Sequence, residues 1–512
     1  MARLPSVGSR SGRVLAVVAA ACAGWVAALT TPRDFPVGGY GDDARYVVLG
    51  KALRENGRFG LLQLPGEPAE TMFPPGYPAL LALAWSPSEG GAANLERARW
   101  VNLALVGPLA GVLCAAGLAL LSLSASASAV LAVAGVVAPI VMARWVYPLS
   151  EPLCLLLIAC ALPLVSAERR GAHLAGLLVL IAAAYVRTIA LAFLVGAWIV
   201  AWRRKEQRRV WCEIAVAAAA LAPWVIWTAV HAGDVAPSLF GMYGSYAQWY
   251  VASVRADPAT VLLLVPEKNV WLLLVSLGDA VTGYLPTGAL VAALVGAGVV
   301  WAVWRARHLA PALVAGLCCY TAVVLLWPYP PFRFVGAVWP VALLAVAAGA
   351  GRRRSRIVPA LAGSALAFAL VGFARRAGLR EGGGAAEWQP LVATIRPLVP
   401  RDAVLASSNP ALYYLTLGVR GVPNERMRSY RYYRLGYWST AWGLGDDLWA
   451  IVHRYHPTYL LMERRGAEGR WAAGSLIRQC PGVMREVWST PRGEYLFAVR
   501  SDVACAPEVV KP

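Results

Sequence analysis

Apolar runs of about 17–22 residues recur along the chain, separated by short polar or basic turns, and that is the length needed to cross the hydrocarbon core of a bilayer. They predict about eleven spanning helices, over 14–31, 100–122, 125–143, 150–166, 171–187, 189–202, 211–230, 286–304, 310–327, 334–350 and 357–374. The run over 189–202 is short and needs a thinned bilayer or cover from neighbouring helices. The stretch 260–277 is apolar but interrupted by Pro266-Glu267-Lys268-Asn269, which predicts an interfacial or re-entrant segment rather than a span.

After Phe373 the pattern changes. Charged and turn-forming residues rise, and Gly382-Gly383-Gly384 reads as a flexible link. Short apolar and helical stretches then alternate over Ala403–Ser407, Pro410–Leu417, Asp446–Arg454 and Tyr459–Met462. Two β-type runs, Met484–Trp488 and Glu494–Val499, flank a turn and predict a hairpin. The fold class is therefore an α-helical polytopic membrane protein, 1–374, with a small C-terminal α/β domain, 375–512. No internal repeat is evident.

Composition agrees with this pattern: 59% of the 512 residues are hydrophobic and 15% charged, with a mean hydropathy of +0.56. A net charge of +19 raises a nucleic-acid reading, which the placement of the charge excludes. Most basic residues form short clusters between apolar runs: Arg169-Arg170, Arg203-Arg204-Lys205 with Arg208-Arg209, Arg305 with Arg307, and Arg352-Arg353-Arg354 with Arg356. With a cytoplasmic N-terminus every one of these clusters falls on the cytoplasmic side, as the positive-inside bias requires. The loops 32–99 and 231–285 and the C-terminal domain then face outward. Arg375, Arg376 and Arg380 depart slightly from that bias. Arg3, Arg10 and Arg13 before the first apolar run look like the start of a signal sequence, but the topology uses that run as an uncleaved span.

The nine cysteines show no metal-binding spacing. Seven lie in or beside apolar helices, where cysteine acts as a small hydrophobe. Cys480 and Cys505 are nearly symmetric about the hairpin and predict a disulfide on an oxidising face.

The candidate chemistry gathers at the outer face. Gly41-Asp42-Asp43-Ala44-Arg45-Tyr46 puts two carboxylates just past the first span, and Met72-Phe73-Pro74-Pro75-Gly76-Tyr77-Pro78 leads back toward the membrane. Acids at a membrane face must be solvated, paired or used. Arg144, Tyr147 and Glu151 flank the turn before the fourth span, Arg187 closes the fifth, Glu267 and Lys268 interrupt the doubtful segment, and Arg333 precedes the tenth. Acids and several cations from different helices suit transfer from a lipid phosphodiester donor to a hydroxyl or amine. A carboxylate accepts the acceptor's proton, and arginines hold the donor phosphate as charge develops on it. The bland readings are helix-start acids at Asp42, Asp43 and Glu151, a snorkelling anchor at Arg333 and a solvated break at Lys268. The Tyr- and Arg-rich run Arg426–Arg434 reads as a solvated loop, or else as a cover over the site or a surface for a glycan acceptor.

The order Asp-Asp-x-Arg-Tyr, Pro-Pro-Gly-Tyr-Pro, Ser-Glu-Pro and Pro-Pro-Phe-Arg resembles the GT-C membrane glycosyltransferases, in particular the branch of protein O-mannosyltransferases and lipid A aminoarabinose transferases. The resemblance covers residues 14–374. It implies a GT-C fold and an inverting transfer of sugar from a polyprenyl phosphate on the exoplasmic face of a cell membrane, to an acceptor that is a lipid, a glycan or a protein. It implies a base at Asp42 or Asp43, where the usual Asp-Glu pair is Asp-Asp here, and a donor-phosphate contact at Arg333. Arg187 and Lys268 are phosphate candidates from position, and Glu151 and Tyr147 are further site candidates. No protein-built metal site is expected; the alternative is a divalent cation bridging the donor phosphate and Asp43. The rival readings are a transporter or flippase, which needs ionisable residues in mid-helix, and a non-catalytic partner-binding subunit.

Overall fold

The computed structural model describes residues 10–31, 37–38, 41–282, 288–349, 363–367, 370–371, 385–425, 444–463, 473–478, 480–491 and 493–503. The membrane part is a helical bundle: α1 (Arg10–Thr30), α2 (Asp42–Asn56), α3 (Gly76–Ala84), α4 (Gly91–Leu121), α5 (Ala125–Val137), α6 (Pro139–Trp145), α7 (Glu151–Val165) and α8 (Arg170–Val186). It continues with α9 (Leu191–Arg203), α10 (Gln207–Val230), α11 (Phe240–Tyr243), α12 (Tyr246–Ala256), α13 (Val265–Thr282), α14 (Ala289–Arg305), α15 (Pro311–Leu326) and α16 (Phe332–Gly349). Among the described residues six helices are long and apolar enough to cross a membrane, and five shorter apolar ones accompany them.

In a bilayer, helices associate through packing and internal hydrogen bonds rather than through expulsion of water, so small residues sit where backbones approach. Gly196 of α9 meets Gly316 of α15 backbone to backbone, and an added Cβ at Gly196 would collide with the Gly316 main chain. The indole of Trp25 in α1 donates to the Ala104 carbonyl of α4 at 3.0 Å, tying the first span to the next.

Three expectations need correction. The helix 260–282 is continuous: a π-turn over Thr260–Leu264 leads into α13, and Pro266-Glu267-Lys268-Asn269 interrupts nothing. Pro266 follows the π-turn directly, so its missing N–H falls where the regular hydrogen-bond ladder is already shifted and the helix carries on through it. The buried Asn269 side chain then donates to the Val324, Leu325 and Trp327 carbonyls at 3.2, 3.3 and 2.9 Å, capping the end of α15. The expected single span 125–143 is two helices, because Pro139 starts α6 afresh after Ala138. The second span begins earlier than expected, at Gly91, and contains Pro108. Most of the span 357–374 lies outside the described residues, as do Arg375, Arg376, Arg380, Gly382–Gly384 and Arg426–Arg434.

The C-terminal domain is a five-stranded sheet in the order β2-β1-β3-β5-β4, with β1 Val404–Ser407, β2 Arg420–Pro423, β3 Tyr459–Met462, β4 Met484–Ser489 and β5 Tyr495–Val499. β1 runs parallel to β2 and β3, and the β4/β5 hairpin joins β3 antiparallel. Alternating residues face opposite sides. Leu405, Leu461 and Leu496 pack under Leu391, Ile395 and Tyr413, whereas Ala406, Leu460 and Met462 pack under Leu448, Ile451 and Leu476. Helices therefore cover both faces. Cys480 is disulfide-bonded, and its expected partner Cys505 lies outside the described residues.

This domain sits on the loop after α1. Its helix Pro410–Leu417 packs against α2, the Gly421 amide donates to the Gln63 carbonyl at 2.7 Å, and Arg420 pairs with Glu67. The sheet edge is thereby brought over the membrane bundle.

Candidate active site

The two carboxylates open α2, behind Gly41 in a left-handed conformation (φ 72°). Neither caps the helix, and they point apart. Asp43 is fully buried and accepts the Gly38 amide at 2.6 Å. Gly38 has a φ of +104°, and a Cβ there would press on Leu412 and Asn409. The Asn409 side chain donates to the Gly38 carbonyl at 2.7 Å, so Asp43 and the C-terminal domain hold this turn from two sides.

Asp42 instead faces a cavity of about 460 Å³ between the bundle and the C-terminal domain. Among the residues lining it, Asp42 is the one carboxylate, and Arg45, Arg187 and Arg333 are the cations. Arg333, the second residue of α16, bridges two acids: Nη1 donates to Asp42, and Nε donates to Glu151 Oε1 at 2.9 Å. Arg187, where α8 ends, pairs with the same Glu151 oxygen at 2.9 Å and donates to Ser150 Oγ at 3.2 Å. Glu151 is 3% exposed and would be costly to bury alone. Two arginines compensate it, and it fixes both guanidinium groups beside the cavity.

A second ion pair shapes the opposite wall. Arg45 donates from Nε and Nη2 to Glu70 at 2.8 and 2.6 Å and also binds the Met242 carbonyl. Its guanidinium lies 4.2 Å from the centre of the Phe73 ring and 4.7 Å from that of Tyr243. Glu70 in turn accepts the Met72 and Phe73 amides at 2.6 and 3.0 Å. The proline-aromatic run is thus held by an acid just upstream of it. Gly76 lets that run approach α8, since a Cβ there would lie 2.7 Å from the Tyr185 carbonyl oxygen.

The phenols supply donors. Tyr46 hydrogen-bonds Ser150 at 2.8 Å and stacks on Phe73 with ring centres 4.5 Å apart. Burial pushes its hydroxyl well above the usual tyrosine range, and pushes Tyr243 and Tyr246 up to about 12. All three stay protonated near neutrality. Trp327 gathers Tyr246, Trp249 and Tyr250 around it at 5.4, 5.2 and 6.1 Å, an aromatic rim suited to the membrane interface.

The sequence-predicted residues divide clearly. Asp42, Arg187 and Arg333 line the cavity, Glu151 binds both arginines from behind, and Asp43 holds the turn. Tyr147 contributes its carbonyl to Asn102 and is not part of the lining. Lys268 is exposed on α13 and also lies outside the lining. Lys268→Ala is expected to leave turnover within about twofold of wild type, as for surface substitutions away from a site, measured as initial rate at saturating donor. Glu70, Ser150 and Tyr46 were not anticipated. Glu70 carries no local signal beyond being the last acid before the Pro-Pro-Gly-Tyr-Pro run.

The chain was compared with family models, with curated proteins and with solved structures. No family model and no curated protein matches. The crystal structure of ArnT from Cupriavidus metallidurans in the apo state does match, with a TM-score of 0.55 over 97% of this chain and 99% of that one at 13% identity. The two chains share one fold, the GT-C fold that the sequence resemblance implies. The match spans both parts, so membrane bundle and C-terminal domain belong to one architecture. Among the described residues no group of three or more His, Cys, Asp or Glu is placed to hold a metal ion.

Proposed function

We propose that the chain is an inverting glycosyltransferase of the cell membrane that moves a sugar from a polyprenyl-phosphate donor to an acceptor hydroxyl or amine on the exoplasmic face. The observation that carries this reading is the lone cavity-facing carboxylate, Asp42, set against three arginines under an aromatic rim. A GT-C fold supports a lipid-linked donor in general terms.

In this mechanism Arg333 and Arg187 hold the donor phosphate. Both are already anchored by Glu151, so little reorganisation is needed when charge develops. A phosphate on Arg333 shares its N–H donors with Asp42 and frees a carboxylate lone pair. Asp42 then takes the proton from the acceptor as its oxygen or nitrogen attacks the anomeric carbon. The bond from that carbon to the phosphate oxygen breaks, the polyprenyl phosphate leaves with the electron pair, and the configuration inverts. The neutral phenols of Tyr46 and Tyr246 donate hydrogen bonds at the wall of the same cavity.

A transporter requires ionisable groups along a path through the helices. Here Asp42, Glu151 and Arg333 stand in the first turns of their helices and Arg187 at the end of its own. The test is consumption of a radiolabelled polyprenyl-phosphate sugar by purified protein, with the anomeric configuration of the product determined by NMR. Protein-dependent consumption with inversion supports the reading, and retention of configuration sinks it.

A further inference from the structure

The C-terminal sheet has a switch point, and its β1 side borders the cavity that holds Asp42. From β1 the chain goes to β2 on one side, whereas β3 lies on the other side of β1. The helix that follows β1 covers one face through Tyr413, and the segment that follows β3 covers the opposite face through Ala473 and Leu476. Connections that diverge in this way leave a crevice beyond the carboxyl ends of the two strands, which is where open α/β sheets bind ligands. Ser408 follows β1 and Glu463 follows β3, so both stand at that crevice. Ser408, Asn409 and Pro410 also line the cavity that holds Asp42.

The groups at the crevice match a polyol. Glu463 accepts hydrogen bonds from the hydroxyls of Ser408 and Tyr413, one on each carboxylate oxygen. Among the described residues its partners are hydroxyls, and a nearby charge is another carboxylate, Glu494. Desolvation raises the Glu463 carboxyl to about 7. The hydroxyl of the neighbouring Ser407 is buried with no hydrogen-bond partner among the described residues. A carboxylate that already accepts hydroxyls beside a switch point is suited to accept a ligand hydroxyl, as an acidic residue does for a ribose hydroxyl in dinucleotide-binding sheets. Ser408 is exposed to the cavity, so its hydroxyl can bond a ligand hydroxyl there beside the Glu463 carboxylate.

We propose that Glu463 and Ser408, at the carboxyl ends of β3 and β1, form a subsite for a polyhydroxylated acceptor, which is held there while its reactive group reaches Asp42 across the shared cavity. The acceptor role rests on the transferase reading; the polyol site does not.

The test is saturation-transfer NMR from the full-length protein in lipid nanodiscs to methyl mannoside, glucoside, galactoside and riboside. At least one glycoside binds the wild type, and Glu463→Gln and Ser408→Ala each weaken it about tenfold, the loss of one hydrogen bond. Tyr413→Phe stays within about twofold, because its hydroxyl satisfies the carboxylate from the protein side. Ser408→Ala changes an exposed residue and keeps the test sound if Glu463→Gln misfolds. No binding by the wild type overturns the proposal, as does undiminished binding in both variants. Equal damage from Tyr413→Phe also overturns it, since the carboxylate is then structural. Donor consumption is measured on the same preparations: turnover without glycoside binding sinks the subsite alone. Binding without turnover sinks the acceptor role and the transferase reading while leaving the polyol site.

Discussion

Asp42→Asn is expected to lower sugar transfer about a thousandfold, the typical worth of a positioned general base, while donor binding persists. Asparagine preserves the shape of the side chain and can still accept from Arg333, but it cannot take a proton. Arg333 keeps its 2.9 Å pair with Glu151, so the guanidinium stays beside the cavity. Asp43→Asn tests the other half of the pair. Asp43 is buried against Gly38 and faces the turn rather than the cavity, so its loss acts through the fold of that turn. The check is a comparison of turnover and donor affinity, with thermal stability recorded for both variants. A fall in turnover at unchanged stability for Asp42→Asn, with a fall in stability for Asp43→Asn, separates base from scaffold.

Arg333→Gln is expected to cost about a hundredfold in turnover and to weaken donor binding as well. Removing one preorganised donor from a developing anion costs on the order of 10²–10³ in rate. The arginine also holds Asp42 and Glu151 on two nitrogens of one guanidinium, which glutamine cannot reproduce. Glu151 keeps Arg187, so the buried carboxylate remains paired and the bundle survives. Arg333→Lys is not a conservative rescue, because an ammonium lacks the planar fork that spans two carboxylates. The measurement is a full rate-against-donor curve for Arg333→Gln, Arg333→Lys and the wild type. Recovery of the wild-type curve by lysine would show that only a charge is needed there.

The span pattern was legible because twenty or so apolar residues between basic turns admit one physical solution in lipid. The β4/β5 hairpin was legible from its turn and flanking runs. That Asp42, Arg187 and Arg333 share one cavity was legible from the convergence of acids and cations at one membrane face, with Asp42 and Arg333 singled out by the family resemblance. The failures have specific causes. Pro266 suggests a break, but a π-turn just before it shifts the hydrogen-bond ladder where the proline lacks a donor, so the helix continues through it. Lys268 was judged by position along the chain, whereas helix phase turns it away from the cavity and turns Asn269 inward. The Arg45–Glu70 pair joins residues 25 apart through a loop, and no periodicity announces such a contact. The distinction between Asp42 and Asp43 was likewise hidden: adjacent helical residues point about 100° apart, and only the docked C-terminal domain decides which direction is interior.

The central claim is that Asp42 serves as the base for a lipid-linked sugar donor, and one assay reaches it directly. Purified wild type and Asp42→Asn are incubated with a radiolabelled polyprenyl-phosphate sugar in the presence of membrane extract as acceptor source, and release of polyprenyl phosphate is followed. The account expects protein-dependent release by the wild type and near-background release by a folded Asp42→Asn that still binds donor. Equal release by the two proteins, or none by the wild type with any donor offered, would contradict it.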